Sequence, residues 1–325
     1  MKYCSEVVPQ KACELLNTTL VSSNLTTTSQ AYRLIDQYGS DPLLEEELCT
    51  PLQDEELLVN EKPDGQNTVQ EVLYGMFDGG QFPYDDGYHE VKIGRIFRSS
   101  QIISGGQSVD NQSENHRNRV INSEYLMQEG HYKNFVAPYG ELMDAQQRMY
   151  PQARLVFLTD GAEWMRKWVE QRYPDALHIL DFYHAYEYLC DFAKHLIKNC
   201  AKREEKLQSW KAQLKNGEVM QIISDLETYR KHQEEKVRTE VEILLTYYQN
   251  NKHRMDYKTY LEKGYLIGSG AIESAVRNVA QQRCKLSGQR WNKGLQVVLN
   301  IRALYRSGKG KRIERIILNK FNNAA

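Results

Sequence analysis

Across residues 154–182 the chain writes RLVFLTD, then the helical spacing of AEWMRKWVEQRY, then a second short apolar run, ALHILDF. Strand, helix, strand over about 30 residues is the crossover of a parallel pair, so the chain must build a sheet covered by helices. Upstream, VQEVLYGMFD and HEVKIGRIFRSSQII have strand composition, the second alternating Val91 and Ile93 with Lys92. HYKNFVAPY is a further candidate strand, and a helix is expected over residues 141–149. Beyond Tyr183 the pattern changes. Residues 185–262 keep helical spacing with one break, at Asn216-Gly217, so an all-helical insertion separates the sheet from whatever follows.

The ends of the chain are simpler. KACELLNTTL and TTSQAYRLIDQYG form two short helices parted by Ser22-Ser23-Asn24, a helical hairpin or a helix-turn-helix. The acidic stretch that follows, through Pro63-Asp64-Gly65, is expected to be a linker. Residues 104–119 have no periodicity and are expected to be a mobile loop. The expected division is therefore a helical N-terminal segment and linker over 1–66, the first part of an α/β core over 67–184, the insertion over 185–262, and a helix with a basic segment over 263–325.

No apolar run approaches the roughly 20 residues that a membrane span needs, and no secretory signal is visible, so the partner is not expected to be a membrane. Six scattered cysteines without paired spacing fit free thiols in a reducing, cytoplasmic setting. The formal net charge of −1 conceals a lopsided distribution. Residues 41–64 carry nine acidic side chains against Lys62 alone, whereas residues 274–325 carry twelve basic ones against Glu314 alone. Such a tail is a phosphate-binding surface or a solvated helix face.

Three carboxylates stand out. Asp78 in YGMFDGG and Asp160 in FLTDGAEW close strand-like runs with Asp-Gly, and Glu273 follows Gly268-Ser269-Gly270 at the start of a helical pattern. Singly, each has an ordinary explanation: Asp-Gly is a common exit from a strand, and Glu273 can pair with Arg277 one turn on. Together, two strand-end aspartates and a helix-borne glutamate are the hard oxygen ligands that a pair of Mg²⁺ ions requires for phosphodiester chemistry.

LTDGAEWM, ILDFYHAYEYL, LIGSGAIES, and RCKLSGQRW followed by ALYRSGKG together resemble the DDE transposases of bacterial insertion sequences, specifically the ISKra group, and more distantly the Mutator-like transposases. The resemblance spans residues 72 to 310. It implies an α/β fold, a ribonuclease-H-like mixed sheet with the helical insertion before the last catalytic helix. It also implies a DDE triad of Asp78, Asp160 and Glu273 that holds two Mg²⁺ or Mn²⁺ ions. Asp85 and Asp86 lie close enough in FPYDDGYHE to compete with Asp78 for the first place.

Asp181 and His184 resemble the acidic-x-x-His element of Mutator-like enzymes, an auxiliary site, and are equally well a helix cap and its first turn. Arg290 and Trp291 resemble the family's Arg-Trp element, with Trp291 a core anchor or a DNA clamp. Arg277, Arg283, Lys285, Arg290, Trp291 and Lys293 are the candidate DNA contacts. The implied partner is double-stranded DNA, both element ends and target, handled by a homodimer or higher oligomer at the nucleoid. The implied reaction is hydrolysis that frees a 3′-OH, followed by strand transfer. A nuclease without strand transfer, and an inactive or truncated copy that only binds DNA, are the alternatives.

Overall fold

The computed structural model describes residues 6–8, 10–13, 27–39, 41–53, 70–103, 119–231 and 235–324. They form two compact units, Met1–Leu155 with Ala271–Ala325, and Val156–Gly270. The expected loop at 104–119 falls almost wholly outside the described residues, as does most of the first N-terminal helix.

In the first unit the acidic stretch departs from expectation. It contains a helix, α2 (Pro42–Cys49), preceded by α1 (Thr28–Gly39). Asp41 caps α2 by accepting from the Leu43 N–H at 3.0 Å, Pro42 occupies the first turn, and Leu44 and Leu48 are buried. A cap, a proline and two apolar residues four apart outweigh three glutamates, of which Glu45 and Glu46 face solvent and Glu47 pairs with Arg312, so residues 42–49 are no linker.

The sheet starts from a long hairpin. β1 (Val72–Tyr84) and β2 (Gly87–Arg98) pair antiparallel from Leu73 opposite Arg98 to Tyr84 opposite Gly87. β3 (Ile102–Ile103) and β4 (Arg119–Val120) form a separate two-stranded ribbon, and β5 (Glu124–Glu129) lies antiparallel to β2. The turn is at Asp85-Asp86, not at Asp78-Gly79: β1 runs on for six residues beyond Asp78, which sits opposite Ile93 in mid-ladder. Asp78 therefore does not end its strand.

The expected strand HYKNFVAPY is instead the start of α3 (Tyr132–Met149), whose second half is the helix expected at 141–149. His131 caps it through Nδ1 to the Lys133 N–H, and Phe135, Tyr139, Leu142 and Met143 recur at helical spacing and are buried. Gly94 makes room for this helix on the sheet, since a Cβ there would lie 2.4 Å from the Tyr139 ring.

β6 (Arg154–Thr159) begins in the first unit, where the Arg154 N–H donates to Glu71 O at 2.7 Å. Through α4 (Glu163–Arg172) it leads to β7 (Leu177–Leu180), and the two strands are parallel, Val156 opposite Leu177, as the spacing predicts. Strand order is β5-β2-β1-β6-β7, a mixed sheet of five strands, and the architecture is α/β.

The second unit continues as helices: α5 (Phe182–Leu196), α6 (Cys200–Lys215), α7 (Val219–Lys231), α8 (Glu235–Asn251) and α9 (Tyr257–Glu262). The expected break is present, with Gly217 at φ +74°. Trp210 is fully buried among them, and the buried Tyr248 hydroxyl donates to Ala185 O at 2.7 Å.

Back in the first unit, α10 (Gly270–Ala275) widens into a π-helical segment, Val276–Gln281, and closes with the single turn α11 (Gln282–Cys284). α12 (Leu295–Arg306) and α13 (Gly310–Ala324) complete the chain, α12 packing against α1, α2 and β5. Among the described residues no helix is long and apolar enough to cross a membrane.

Candidate active site

Of the three carboxylates, Asp160 has the plainest setting. It follows β6 directly, and its Oδ1 accepts from the Ala162 N–H at 2.8 Å, an Asx turn that leads the chain into α4. Its second carboxylate oxygen accepts no hydrogen bond among the described residues, and the side chain is half-buried.

The surroundings of Asp160 in the second unit are crowded with buried polar groups. The Arg254 guanidinium, with no exposure at all, donates to Thr159 Oγ1 at 3.0 Å, to Asp160 O at 3.2 Å and to Asn251 Oδ1 at 2.9 Å. All three acceptors are neutral, the Glu170 and Asp160 charges offset the loss of hydration only in part, and burial pushes the arginine down to about 10. Thr159 Oγ1 is also 2.9 Å from His178 Nε2. The Tyr247 ring covers Gly161 so closely that a Cβ there would lie 2.2 Å away. Tyr188, 4.6 Å from Tyr247 between ring centroids, has its hydroxyl pushed up by burial and then by the Asp160 charge.

In the first unit Asp78 is half-buried, and its Oδ1 accepts from the Gly79 N–H at 2.6 Å. Glu273 is exposed in the first turn of α10, where a carboxylate suits the helix dipole. Arg95 anchors that turn. It is buried on β2 and donates to Ala271 O at 2.7 Å, to Ser123 Oγ at 2.9 Å and to Val120 O at 3.1 Å. β1 packs against the π segment, a Cβ on Gly80 falling 3.6 Å from Val276.

The donor chemistry of the trio suits a hard divalent cation. Asp78 and Glu273 belong to the first unit and Asp160 to the second. Among the described residues no group of three or more His, Cys, Asp or Glu side chains that could hold a metal ion is present.

Asp181 is the N-cap of α5 and fully buried. One oxygen accepts from the His184 N–H at 2.6 Å and the other from the Ser269 N–H, so both are committed to backbone. His184 is partly exposed beside Glu187 at 3.7 Å. This is the geometry of a cap that also ties down the Gly268-Ser269-Gly270 turn.

The candidate DNA contacts divide. Arg277, Lys285, Arg290 and Lys293 are exposed, but Arg283 is 2% exposed, its guanidinium 5.7 Å from the Trp291 ring centroid. Arg283 is thus a packing residue of the α11 turn, buried because that face of the helix meets Trp291. Trp291 is half-buried, and its indole N–H donates to Cys284 O at 2.8 Å.

Arg254 and Arg95 were not anticipated as supports of these carboxylates. Arg95 had a visible cue, a charge inside the apolar run KIGRIF. Arg254 had none, because KHRMD resembles any polar helix end.

A family model described as an uncharacterised protein family, UPF0236, matches residues 65–319, and the chain belongs to that family. A search of the curated proteins finds no match.

Proposed function

We propose that this member of the UPF0236 family is a DDE-type DNA transposase with a ribonuclease-H-like core, cleaving DNA at the ends of its own element and joining the freed 3′-OH to target DNA. The observation that carries the reading is Asp160: a carboxylate set directly after β6 of a parallel β-α-β unit, with one oxygen held by backbone and the other accepting no hydrogen bond among the described residues. Around it stands the run of motifs that resembles insertion-sequence transposases, LTDGAEWM, LIGSGAIES and RCKLSGQRW.

In this reading Asp78, Asp160 and Glu273 would hold two Mg²⁺ or Mn²⁺ ions, which supply charge stabilisation to the attacking and leaving oxygens when bound. The protein's own contribution is alignment. Arg254 and the Ala162 N–H hold the Asp160 turn from two sides, and Arg95 holds the first turn of α10 that carries Glu273. Asp181 acts through backbone, as the cap of α5 and the tie of the Ser269 turn. DNA is the proposed partner in a dimer or larger assembly, at the nucleoid.

The test uses the full chain with the DNA that flanks its own coding sequence. The wild-type protein is expected to nick that DNA and join it to a second duplex in Mg²⁺, while Asp160→Ala loses both steps and keeps DNA affinity. Nicking without joining would support a nuclease, and DNA binding without nicking would support an inactive DNA-binding copy. Cleavage by Asp160→Ala would remove Asp160 from the chemistry.

A further inference from the structure

In the first unit the tip of the β1–β2 hairpin and the loop over residues 285–293 are built as one piece. The Asp85 N–H donates to Trp291 O at 2.9 Å and the Trp291 N–H donates to Pro83 O at 2.9 Å. These two bonds make a parallel bridge between Tyr84 and Trp291, to which Arg290 adds a bond to Tyr84 O at 3.3 Å. Gly288 at φ +73° and Gly294 at φ +81° let the loop turn back on itself before α12. Below it, the indole bond to Cys284 O and the Arg283 guanidinium fix Trp291 from the other side. A segment held this firmly presents its outward side chains in a set arrangement.

Those outward side chains are cationic and aromatic. Tyr88 is 67% exposed beside the hairpin turn, and the Lys285 ammonium lies 5.9 Å from its ring centroid. Lys285, Arg290 and Lys293 are exposed, and none pairs with a carboxylate among the described residues. Leu286, 43% exposed, adds an apolar contact. The nearby acids are Asp85 and Asp86 at the turn and Glu129 on β5. Asp86 and Glu129 both hold His89, which their hydrogen bonds and charges keep protonated more readily than usual.

Cations that track phosphates, interleaved with an aromatic face, are what binds an unpaired strand, because every base has a face to stack while only the backbone carries charge. The interior of a duplex offers phosphates but keeps its bases paired and stacked. Fraying or single-stranded DNA supplies both.

We infer that this hairpin tip and loop form a platform for unpaired nucleotides at a DNA end, Tyr88 stacking on a base while Lys285, Arg290 and Lys293 contact the flanking phosphates. The inference rests on the reading of the protein as one that acts on DNA ends, and it gives that reading a substrate structure.

Fluorescence anisotropy in EDTA tests it without any cleavage, using the full chain with a blunt duplex and the same duplex bearing a short single-stranded overhang. Wild type is expected to prefer the overhang. Tyr88→Ala is expected to bind the overhang roughly 5- to 150-fold more weakly with the blunt duplex unaffected, and Tyr88→Phe to keep the preference. Tyr88 is mostly in solvent, so both variants are expected to fold, which circular dichroism checks. Equal affinity of wild type and Tyr88→Ala for the overhang would overturn the platform and leave the transposase reading standing. Failure of wild type to bind either DNA would overturn both.

Discussion

At the scale of single residues, the second unit holds an unusual pair under the end of β6. His178 is half-buried, and its buried Nδ1 has no hydrogen-bond partner among the described residues. Burial first, and the Arg254 charge second, push its imidazole well below the ordinary value of 6.5. The folded chain therefore keeps His178 neutral where the unfolded chain would take up a proton. The resulting stabilisation is present in full above pH 6.5 and is lost as the pH falls below that value towards the folded one. Its slope is at most about 1.4 kcal/mol per pH unit. Denaturant unfolding at stepped pH is expected to show wild type weakening faster than His178→Gln on acidification, and parallel curves would mean that the histidine charges in place. A lone histidine in ALHILD marks a buried position in the sequence, but its tie to Arg254, 76 positions on, is tertiary and leaves no trace there.

At the scale of elements, the helix expected from Glu273 is real, but its continuation is not α-helical. Over Val276–Gln281 the helix is π-helical, and the buried Arg302 of α12 donates to two of its carbonyls. Its Nη2 donates to Asn278 O at 3.0 Å, its Nε to Val279 O, and its Nη1 to Glu6 Oε2 at 3.1 Å. A side chain from α12 therefore helps determine the shape of the helix beginning at Glu273. Arg302→Met would leave the Val279 and Asn278 carbonyls, the first of them buried, without this donor, at a cost of roughly 2–4 kcal/mol. A lowered denaturation midpoint is expected, and Arg302→Lys should recover only part of it, since an ammonium cannot fork as a guanidinium does. Unchanged stability in Arg302→Met would mean that the π segment holds itself.

The same long-range logic explains which elements were legible. β6, α4, β7 and the helices after Tyr183 follow from local periodicity, which needs no partner to be read. The hairpin turn does not. Asp78-Gly79 and Asp86-Gly87 look alike locally, and only pairing across the whole ladder selects the second. α2 was readable from Asp41-Pro42, a cap followed by a proline, but composition obscured it. Asp160 was legible at its strand end, whereas the depth of Arg283 depended on Trp291 folding back over it.

At the scale of the whole molecule, the basic tail is far less available than its charge suggests. Arg302 and Arg306 pair with Glu6, Lys309 with Glu124 at 2.8 Å, Arg312 with Glu47 at 3.0 Å, and Lys320 with Asp41. Two of these acids, Asp41 and Glu47, come from the acidic segment, and the Lys309–Glu124 pair is buried, where salt screens it little. With Arg283 buried as well, six of the twelve tail cations are taken among the described residues, leaving Arg277, Lys285, Arg290, Lys293, Lys311 and Arg315. Counterion release counts only charges that reach phosphate. Six such contacts limit the tail's contribution to the slope of log K against log salt for duplex DNA to about 5.4, whereas twelve would allow about 10.8. The tail's share is read by comparing wild type with a variant in which the six available cations are changed to glutamine. A fall of up to about 5.4 in slope is expected, and a larger fall would mean that the internal pairs open on DNA.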